Sequence, residues 1–281
     1  YIASDPSAAN PQKMANPELG WERTTQYNLG LDYGFFQNRI SGAFDIYKTK
    51  TNDLLQVMSI PSILGYTTTF ANVGKTEGWG IDLQINTVNI KKENFQWMTS
   101  ITWSKDKNKV VELANGRTED LTNNWIVGQE ISVPYDLVYD GIWKTDQEEE
   151  AKKYGAKPGQ IRVKDLSGPD GVPDGKIDRN YDRQVLGSYR PKWSGGISNT
   201  FNYKNFELSF FIYSRWGQTI NAGAETLGGR FMMRKLDYFI PQINEDAEYY
   251  QPGINGEAAD PNNSSMNYRH GSFVKLRNIS F

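Results

Sequence analysis

Apolar and polar residues alternate with a period of two in separate stretches of this chain. Each is near the ~9–11 residues that a tilted strand needs to cross a bilayer. Tyr27, Leu29, Leu31 and Tyr33 share one face, and Gln26, Asn28, Gly30 and Asp32 share the other. Between Arg39 and Lys48, Ile40, Phe44 and Ile46 lie opposite Ser41, Asp45 and Tyr47. Trp79, Ile81, Leu83 and Ile85 alternate with Gly80, Asp82, Gln84 and Asn86, and Trp97, Thr99, Ile101 and Trp103 with Gln96, Ser100, Thr102 and Ser104. Further on, Ile197, Phe201 and Tyr203 oppose Ser198, Thr200 and Asn202, and Phe206, Leu208, Phe210 and Ile212 oppose Glu207, Ser209 and Tyr213. In a seventh stretch, Phe273 to Phe281, Val274 and Leu276 fall on one face and Ile279 and Phe281 on the other. Such a change of parity predicts a bulge.

The connections alternate in length. Gly34 to Asn38, Asn89 to Asn94 and Lys204-Asn205 are short polar turns, whereas segments 49–75, 105–193 and 217–272 are long. Short turns at one end and long loops at the other are the pattern of an outer-membrane barrel. The predicted fold is therefore all-β: an antiparallel transmembrane β-barrel segment of about seven strands with long extracellular loops. Residues 105–193 must leave and return on the same side, so Tyr135 to Trp143 is expected to be a loop strand outside the membrane. Thr145-Asp146-Gln147-Glu148 reads as a capping box, with Lys152 and Lys153 in the last turn and Gly155 closing it. That spacing predicts a helix of about ten residues.

An open sheet leaves unpaired edge groups, which are costly in hydrocarbon. Residues 1–281 are thus expected to be part of one larger β-barrel domain, with 105–193 and 217–272 as its long extracellular loops. The chain opens on Tyr1-Ile2-Ala3 with neither an initiator methionine nor a signal segment, as expected of mature or truncated material.

Composition narrows the classes further. Aromatics make up 13% and no run approaches the ~20 apolar residues of a membrane helix. A mean hydropathy of -0.65 is compatible with a barrel, because spanning strands alternate lipid-facing and lumen-facing residues. The absence of cysteine excludes a disulfide framework and a thiolate metal site. A net charge of -2, from 31 basic and 33 acidic residues, makes no electrostatic case for nucleic acid.

Candidate chemistry is sparse. Asp165-Leu166-Ser167-Gly168-Pro169-Asp170-Gly171-Val172-Pro173-Asp174-Gly175-Lys176-Ile177-Asp178, followed by Asp182, is a partial match to a calcium loop, with Asp170, Asp174, Asp178 and Asp182 as candidate ligands. The alternative is a turn cluster whose side chains bond their own backbone. Trp125, Tyr135, Tyr139 and Trp143 are candidate contacts to a substrate or partner, since flat rings stack on sugars and grip side chains. Their alternative is packing of the loops. Asp32, Asp45, Asp82 and Glu207 sit on the polar face among Gln, Asn, Ser and Thr, as a solvated lumen wall would have them. His270 is the only histidine; there is no nucleophile motif, no GxGxxG at a strand–helix junction and no phosphate-loop lysine. No catalytic residue and no required cofactor are expected.

Asn16-Pro17-Glu18-Leu19-Gly20-Trp21-Glu22, continuing through Asn28-Leu29-Gly30-Leu31-Asp32, resembles a motif of the SusC-like, TonB-dependent outer-membrane transporters. Asp45-Ile46-Tyr47-Lys48, Thr51-Asn52-Asp53-Leu54-Leu55, Asn72-Val73-Gly74, Glu77-Gly78-Trp79-Gly80, Asn108-Lys109-Val110 and Asp140-Gly141-Ile142-Trp143 follow in the family's order. So do Lys157-Pro158-Gly159-Gln160, Asp174-Gly175-Lys176-Ile177-Asp178, Leu186-Gly187, Pro191-Lys192-Trp193 and Gly271-Ser272-Phe273-Val274-Lys275-Leu276-Arg277-Asn278-Ile279. The family's compact Asp-x-Asn-Gly-Asp-Gly loop is replaced here by Ser167-Gly168-Pro169-Asp170-Gly171-Val172-Pro173 before Asp174.

The resemblance implies a plugged barrel of roughly 22 strands. The seven strands here would be about the fourteenth to the twentieth, with plug and TonB-contacting region elsewhere. It further implies a multi-pass protein of the bacterial outer membrane, in contact with outer-membrane lipid and with no enzymatic activity. Its function would be TonB-dependent import of a glycan or oligopeptide, its partners a SusD-like surface lipoprotein and the TonB complex. Trp125, Tyr135, Tyr139 and Trp143 would then face substrate or lipoprotein. Two other classes are a secreted, calcium-stabilised, glycan-binding β-sandwich and an all-β glycoside hydrolase with two carboxylates. A sandwich would bury the apolar faces in one dry core, whereas a barrel turns them outward.

Overall fold

The computed structural model describes residues 13–61, 63, 65–72, 74–113, 116–121, 123–223, 237–247, 249–251 and 262–281. Seven strands form one antiparallel sheet: β1 (Arg23–Phe35), β2 (Ile40–Asn52), β3 (Lys75–Lys92), β4 (Phe95–Glu112), β5 (Trp193–Tyr203), β6 (Phe206–Trp216) and β7 (Phe273–Ser280). They are hydrogen-bonded in chain order, so the sheet is a simple meander with β1 and β7 at its edges. All seven alternating stretches lie on these strands. Lys105 to Glu112, taken above as the start of the long segment, instead continue β4.

Register places directly opposed residues on one face. Leu31, Phe44, Leu83 and Trp103 form one row across β1 to β4, and Tyr33, Gly42, Ile85, Ile101 and Ile197 another that extends to β5. This apolar face is bare. Leu29 and Leu31 are 72% and 62% exposed, and on the inner strands Ile46, Trp79 and Ile197 are still exposed. Among the described residues the buried apolar core takes nothing from it. A β-sandwich would require this face to be dry, so the structure overturns that alternative.

The short connections are tight. Phe36, Gln37 and Asn38 turn β1 into β2 with φ of 54°, 57° and 63°, and the Arg39 N–H closes on the Phe36 carbonyl at 3.3 Å. The Lys204 N–H, in the turn between β5 and β6, donates to the Asn94 carbonyl of the turn between β3 and β4 at 3.0 Å. A bulge lies where sequence did not place one, at Asn89, because β3 and β4 pair Val88 with Met98 and then Ile90 with Trp97. On β7, Arg277 lies over the Tyr213 ring of the polar face, while Phe281 stacks on Phe206 of the apolar face.

The chain divides into two units, one of Tyr1–Ser132, Lys192–Arg215 and Val274–Phe281 and the other of Val133–Pro191 and Trp216–Phe273. The first holds the body of the sheet. The second is built from short pairings outside it: Tyr135–Leu137 with Arg183–Val185, Tyr139–Ile142 with Ile161–Val163, and Thr219–Asn221 with Tyr268–His270. Tyr135 to Trp143 is accordingly a loop strand. The core of this unit is Leu137, Ile161, Val163, Tyr249 and Met266. Parts of segment 217–272, at 224–236, 248 and 252–261, lie outside the described residues.

The expected helix is a 3-10 turn, Thr145–Gln147, leading into α1 (Glu148–Lys153). Its cap is Lys144, one residue earlier than the sequence indicates: Gln147 Oε1 accepts the Lys144 N–H at 3.1 Å. The Thr145 hydroxyl is instead donated to Glu245. Gly155, at φ 68°, closes the helix as expected.

Candidate functional site

The polar face of the sheet is the first candidate surface. Asp45 stands directly opposite Asp82, and with Gln84, Thr102, Ser104, Ser194 and Tyr213 they line an open depression of about 280 Å³. Room for Asp45 is made by Gly30, where a Cβ would stand 2.7 Å from Asp45 Oδ1. Asp32 faces Ala43 and is not part of the pair. The depression is open and carries Gln84, Thr102, Ser104 and Ser194 beside the two carboxylates, which suits a solvated wall.

The Asn16 motif has a structural role at the long-loop end. Asn72, on the hairpin Leu55–Ser59 with Thr68–Asn72, accepts the Gly20 N–H at 2.6 Å and donates to the carbonyls of Gly20 at 3.0 Å and Asp53 at 2.8 Å. Asn16 accepts the Glu18 N–H at 3.0 Å and donates to the Phe70 carbonyl at 2.9 Å. Two side-chain amides thus stand in for a strand ladder and tie the approach to β1 onto this hairpin.

The four candidate calcium ligands do not converge. Asp182 is fully buried; its Oδ1 accepts the N–H groups of Leu166 at 2.7 Å and Ser167 at 3.1 Å, and its Oδ2 that of Asp178 at 2.7 Å. Asp178 accepts the Asn180 N–H at 2.8 Å and Asp174 the Lys176 N–H at 3.0 Å, each an Asx turn. Asp170 is exposed at the turn tip. Among the described residues no three acidic or histidine groups are placed to hold a metal ion. The arrangement matches the turn-cluster alternative.

The candidate aromatics all take part in packing. Trp125 is buried with Val110 and Leu113. Trp143 is buried, stacks on Tyr154 with ring centroids 5.9 Å apart, and has the Arg162 guanidinium 5.4 Å from its ring. Tyr139 packs on the loop-unit core, and Tyr135 carries Arg183 at 5.0 Å from its ring. Trp143 and Tyr154 also line a recess of about 330 Å³ with Leu137, Ile161 and Val163.

Two polar groupings in the loop unit were not visible in sequence. Buried Asp136 accepts from Arg179 at 2.9 Å, and close by Tyr268 has its phenol held protonated well above the usual range, by burial first and then by Tyr189 and Asp136. Lys144 pairs with Asp246, and Thr145 with Glu245. The Lys144 hydrogen bond and charge hold the Asp246 carboxyl below its usual range; the Thr145 hydroxyl and the Gln242 N–H do so for Glu245. Carboxyls lowered on folding contribute stability above the unfolded pKa of about 4 and lose it as pH falls through the lower folded value. The protection factors of the amides of residues 144–147, that is, exchange relative to the unstructured rate at each pH, should therefore hold steady from pH 7 to about 5 and fall only below pH 4. Lys144→Gln should move that fall to higher pH.

The chain is 30% identical to TonB-dependent receptor P3 of Formosa agariphila over 95% of its own length and 28% of that protein's. It is 28% identical to TonB-dependent receptor SusC of Bacteroides thetaiotaomicron over 71% of its own length and 20% of that protein's. A solved structure described as the RagAB peptide transporter superposes with a TM-score of 0.72 at 22% identity, covering 94% of this chain and 29% of that one. The chain thus spans less than a third of the curated relatives it matches. Because the family model for the TonB-dependent receptor-like β-barrel matches residues 2–253, the chain belongs to the TonB-dependent receptors, as a SusC-like stretch of their barrel.

Proposed function

We propose that residues 1–281 are a section of the wall and loops of an outer-membrane importer that takes up a glycan or oligopeptide by TonB-dependent transport, together with a SusD-like surface lipoprotein. The sheet spans the membrane in this reading, and the loop unit lies outside the cell. The protein performs no covalent chemistry: its work is to wall a passage. A polar face lines the route, an apolar face meets lipid, and the energy comes from the TonB complex.

One observation carries this reading, the spacing of aromatic residues on the bare face. At the short-turn end Trp97 stacks on Phe201 at 5.5 Å, and Phe201 on Phe210 at 6.2 Å. At the other end Trp79 stands opposite Lys107, ten residues along β4 from Trp97. Ten residues at ~3.3 Å each, tilted by about 40°, rise about 25 Å, the height of a barrel's apolar band between its aromatic girdles.

The test uses the full-length protein that carries these residues. It should fractionate with outer membranes, require detergent for extraction, and migrate as a compact band that heating converts to an unfolded one. Its deletion should abolish growth on one class of polymer, either oligopeptides or a glycan, when that is the sole nutrient. Partition into the aqueous phase without detergent would overturn the membrane assignment. Undiminished growth of the deletion strain on every such polymer, with related importers also removed, would overturn import.

A further inference from the structure

We propose that the outward face of β2 to β4 carries, at its long-loop rim, a binding site for the phosphate groups of an anionic membrane lipid. The proposal rests on the membrane reading above. Its observation is a cluster of lysines on the lipid-facing side of the sheet.

Register builds this cluster from positions far apart in sequence. Lys48 stands opposite Trp79, and Trp79 opposite Lys107; one step further out, Lys50 stands opposite Glu77, and Glu77 opposite Lys109. Ile46, Ile81 and Lys105 form the row below. Each of these residues has the parity of Leu83 and Trp103, so the five lysines continue the apolar face and do not belong to the polar one. Only Glu77 opposes them within these rows, and it pairs with Lys109 at 3.6 Å. Lys48, Lys50 and Lys107 are exposed.

Height and side-chain direction point to a lipid headgroup. Lys107 lies about 25 Å above the lower aromatic girdle, at the edge of the apolar band, and Lys109 about 5 Å beyond it. Lys105 starts inside the band, but its ammonium lies 5.8 Å from the centre of the Trp79 ring, one row outward. A lysine stem lying on apolar surface while its charge reaches the interface is the snorkelling arrangement. Strands ~4.8 Å apart and alternate residues ~6.7 Å apart give a grid of positive charge about 10 Å wide and about 13 Å tall. A lipid whose chains lie on Leu83, Ile81 and Ile46 would bring its phosphates to this grid, where charge-assisted bonds in a partly dehydrated layer are strongest. Free phosphate would meet the same ammonium groups without the chains.

Native mass spectrometry of the full-length protein in a neutral detergent tests the site, with bisphosphorylated lipid A, its dephosphorylated form and phosphatidylcholine as probes. The wild type should retain the bisphosphorylated lipid about tenfold more strongly than either other lipid. Lys48→Gln/Lys50→Gln/Lys107→Gln should lose that preference and keep heat-modifiable migration; Lys107→Gln alone should weaken it, which preserves the test if the triple variant fails to fold. Lys152→Gln/Lys153→Gln, on α1, should change nothing. Equal retention of the three lipids by the wild type, or an unaltered preference in the triple variant or, where that does not fold, in Lys107→Gln, would overturn the site. Displacement of the lipid by millimolar inorganic phosphate would overturn the lipid as its occupant. If the protein is soluble without detergent and shows no heat-modifiable band, the membrane reading itself fails, an outcome distinct from a folded barrel without lipid preference.

Discussion

Leu83→Arg should destabilise the full-length protein by about 3 kcal/mol in detergent or lipid, whereas Gln84→Arg, at the next residue, should cost less than about 1 kcal/mol. Leu83 lies between Phe44 and Trp103 near mid-height of the apolar band, so an arginine there is forced into hydrocarbon. Barrels pay about 2–4 kcal/mol for a lipid-facing Arg or Lys at the midplane, falling to about 0–1 near the interfaces. Gln84 faces the other way, between Ala43 and Thr102, where water is available and the Asp45–Asp82 pair offers opposite charge. Urea unfolding of the full-length protein, followed by loss of the heat-modifiable band, measures both. Equal costs would mean that the two faces are not differently solvated, and the barrel account would fail. Moving the arginine to Trp79, at the rim, should bring the cost down toward that of Gln84→Arg, because the depth has changed and the face has not.

The two faces were legible in the sequence because β-strand alternation is local: Trp79 to Asn86 announces its sidedness with no knowledge of its neighbours. Register is different. It is set by pairing between strands, so the lysine cluster, drawn from Lys48 and Lys50 on β2 and Lys105 to Lys109 on β4, became visible only once Trp79 was placed between them. The trace it leaves in sequence is lysine at every second position, Lys105, Lys107 and Lys109, which is easily taken for a solvated loop. Bulges escape for a related reason. Asn89 looks like a turn residue, but its side chain donates to Thr99 Oγ1 at 2.7 Å, and its Oδ1 accepts from Thr87 at 2.9 Å. The same Thr99 donates at 2.7 Å to Asn199, which also accepts from Trp97 Nε1 at 2.9 Å. This polar network satisfies itself beside the lower girdle, where unpaired groups would be costly. The packing of the aromatic candidates was not legible because Trp and Tyr serve ligands and loop cores equally well, and the burial of Trp125 and Trp143 is set by residues distant in sequence.

Asp182→Ala should loosen the loop at 165–182 by about 3 kcal/mol while leaving the sheet intact. The Asp182 carboxylate is fully buried and accepts three backbone N–H groups, from Leu166, Ser167 and Asp178, so its removal leaves three donors without their acceptor. A buried donor stripped of its partner costs about 1–3 kcal/mol, and local water recovers part of the sum. Asp182→Asn keeps one oxygen, enough for Leu166 and Ser167, and turns an N–H group toward the Asp178 donor, so it should cost roughly half as much. Limited proteolysis of the full-length protein reads the difference: cleavage between Asp165 and Asp182 should accelerate most in the alanine variant, less in the asparagine variant, with the heat-modifiable band unchanged in both. Chelator and added calcium should leave cleavage of the wild type where it was, because Asp174, Asp178 and Asp182 already bond backbone N–H groups of their own turns. If chelation opens the wild-type loop and calcium closes it again, the carboxylates hold a cation and the turn bonds are secondary. The Asp170-Gly171-Val172-Pro173-Asp174-Gly175 sequence looks the same in both cases; the difference lies in whether Asp182 faces an ion or three peptide N–H groups, and the observed hydrogen bonds favour the peptides.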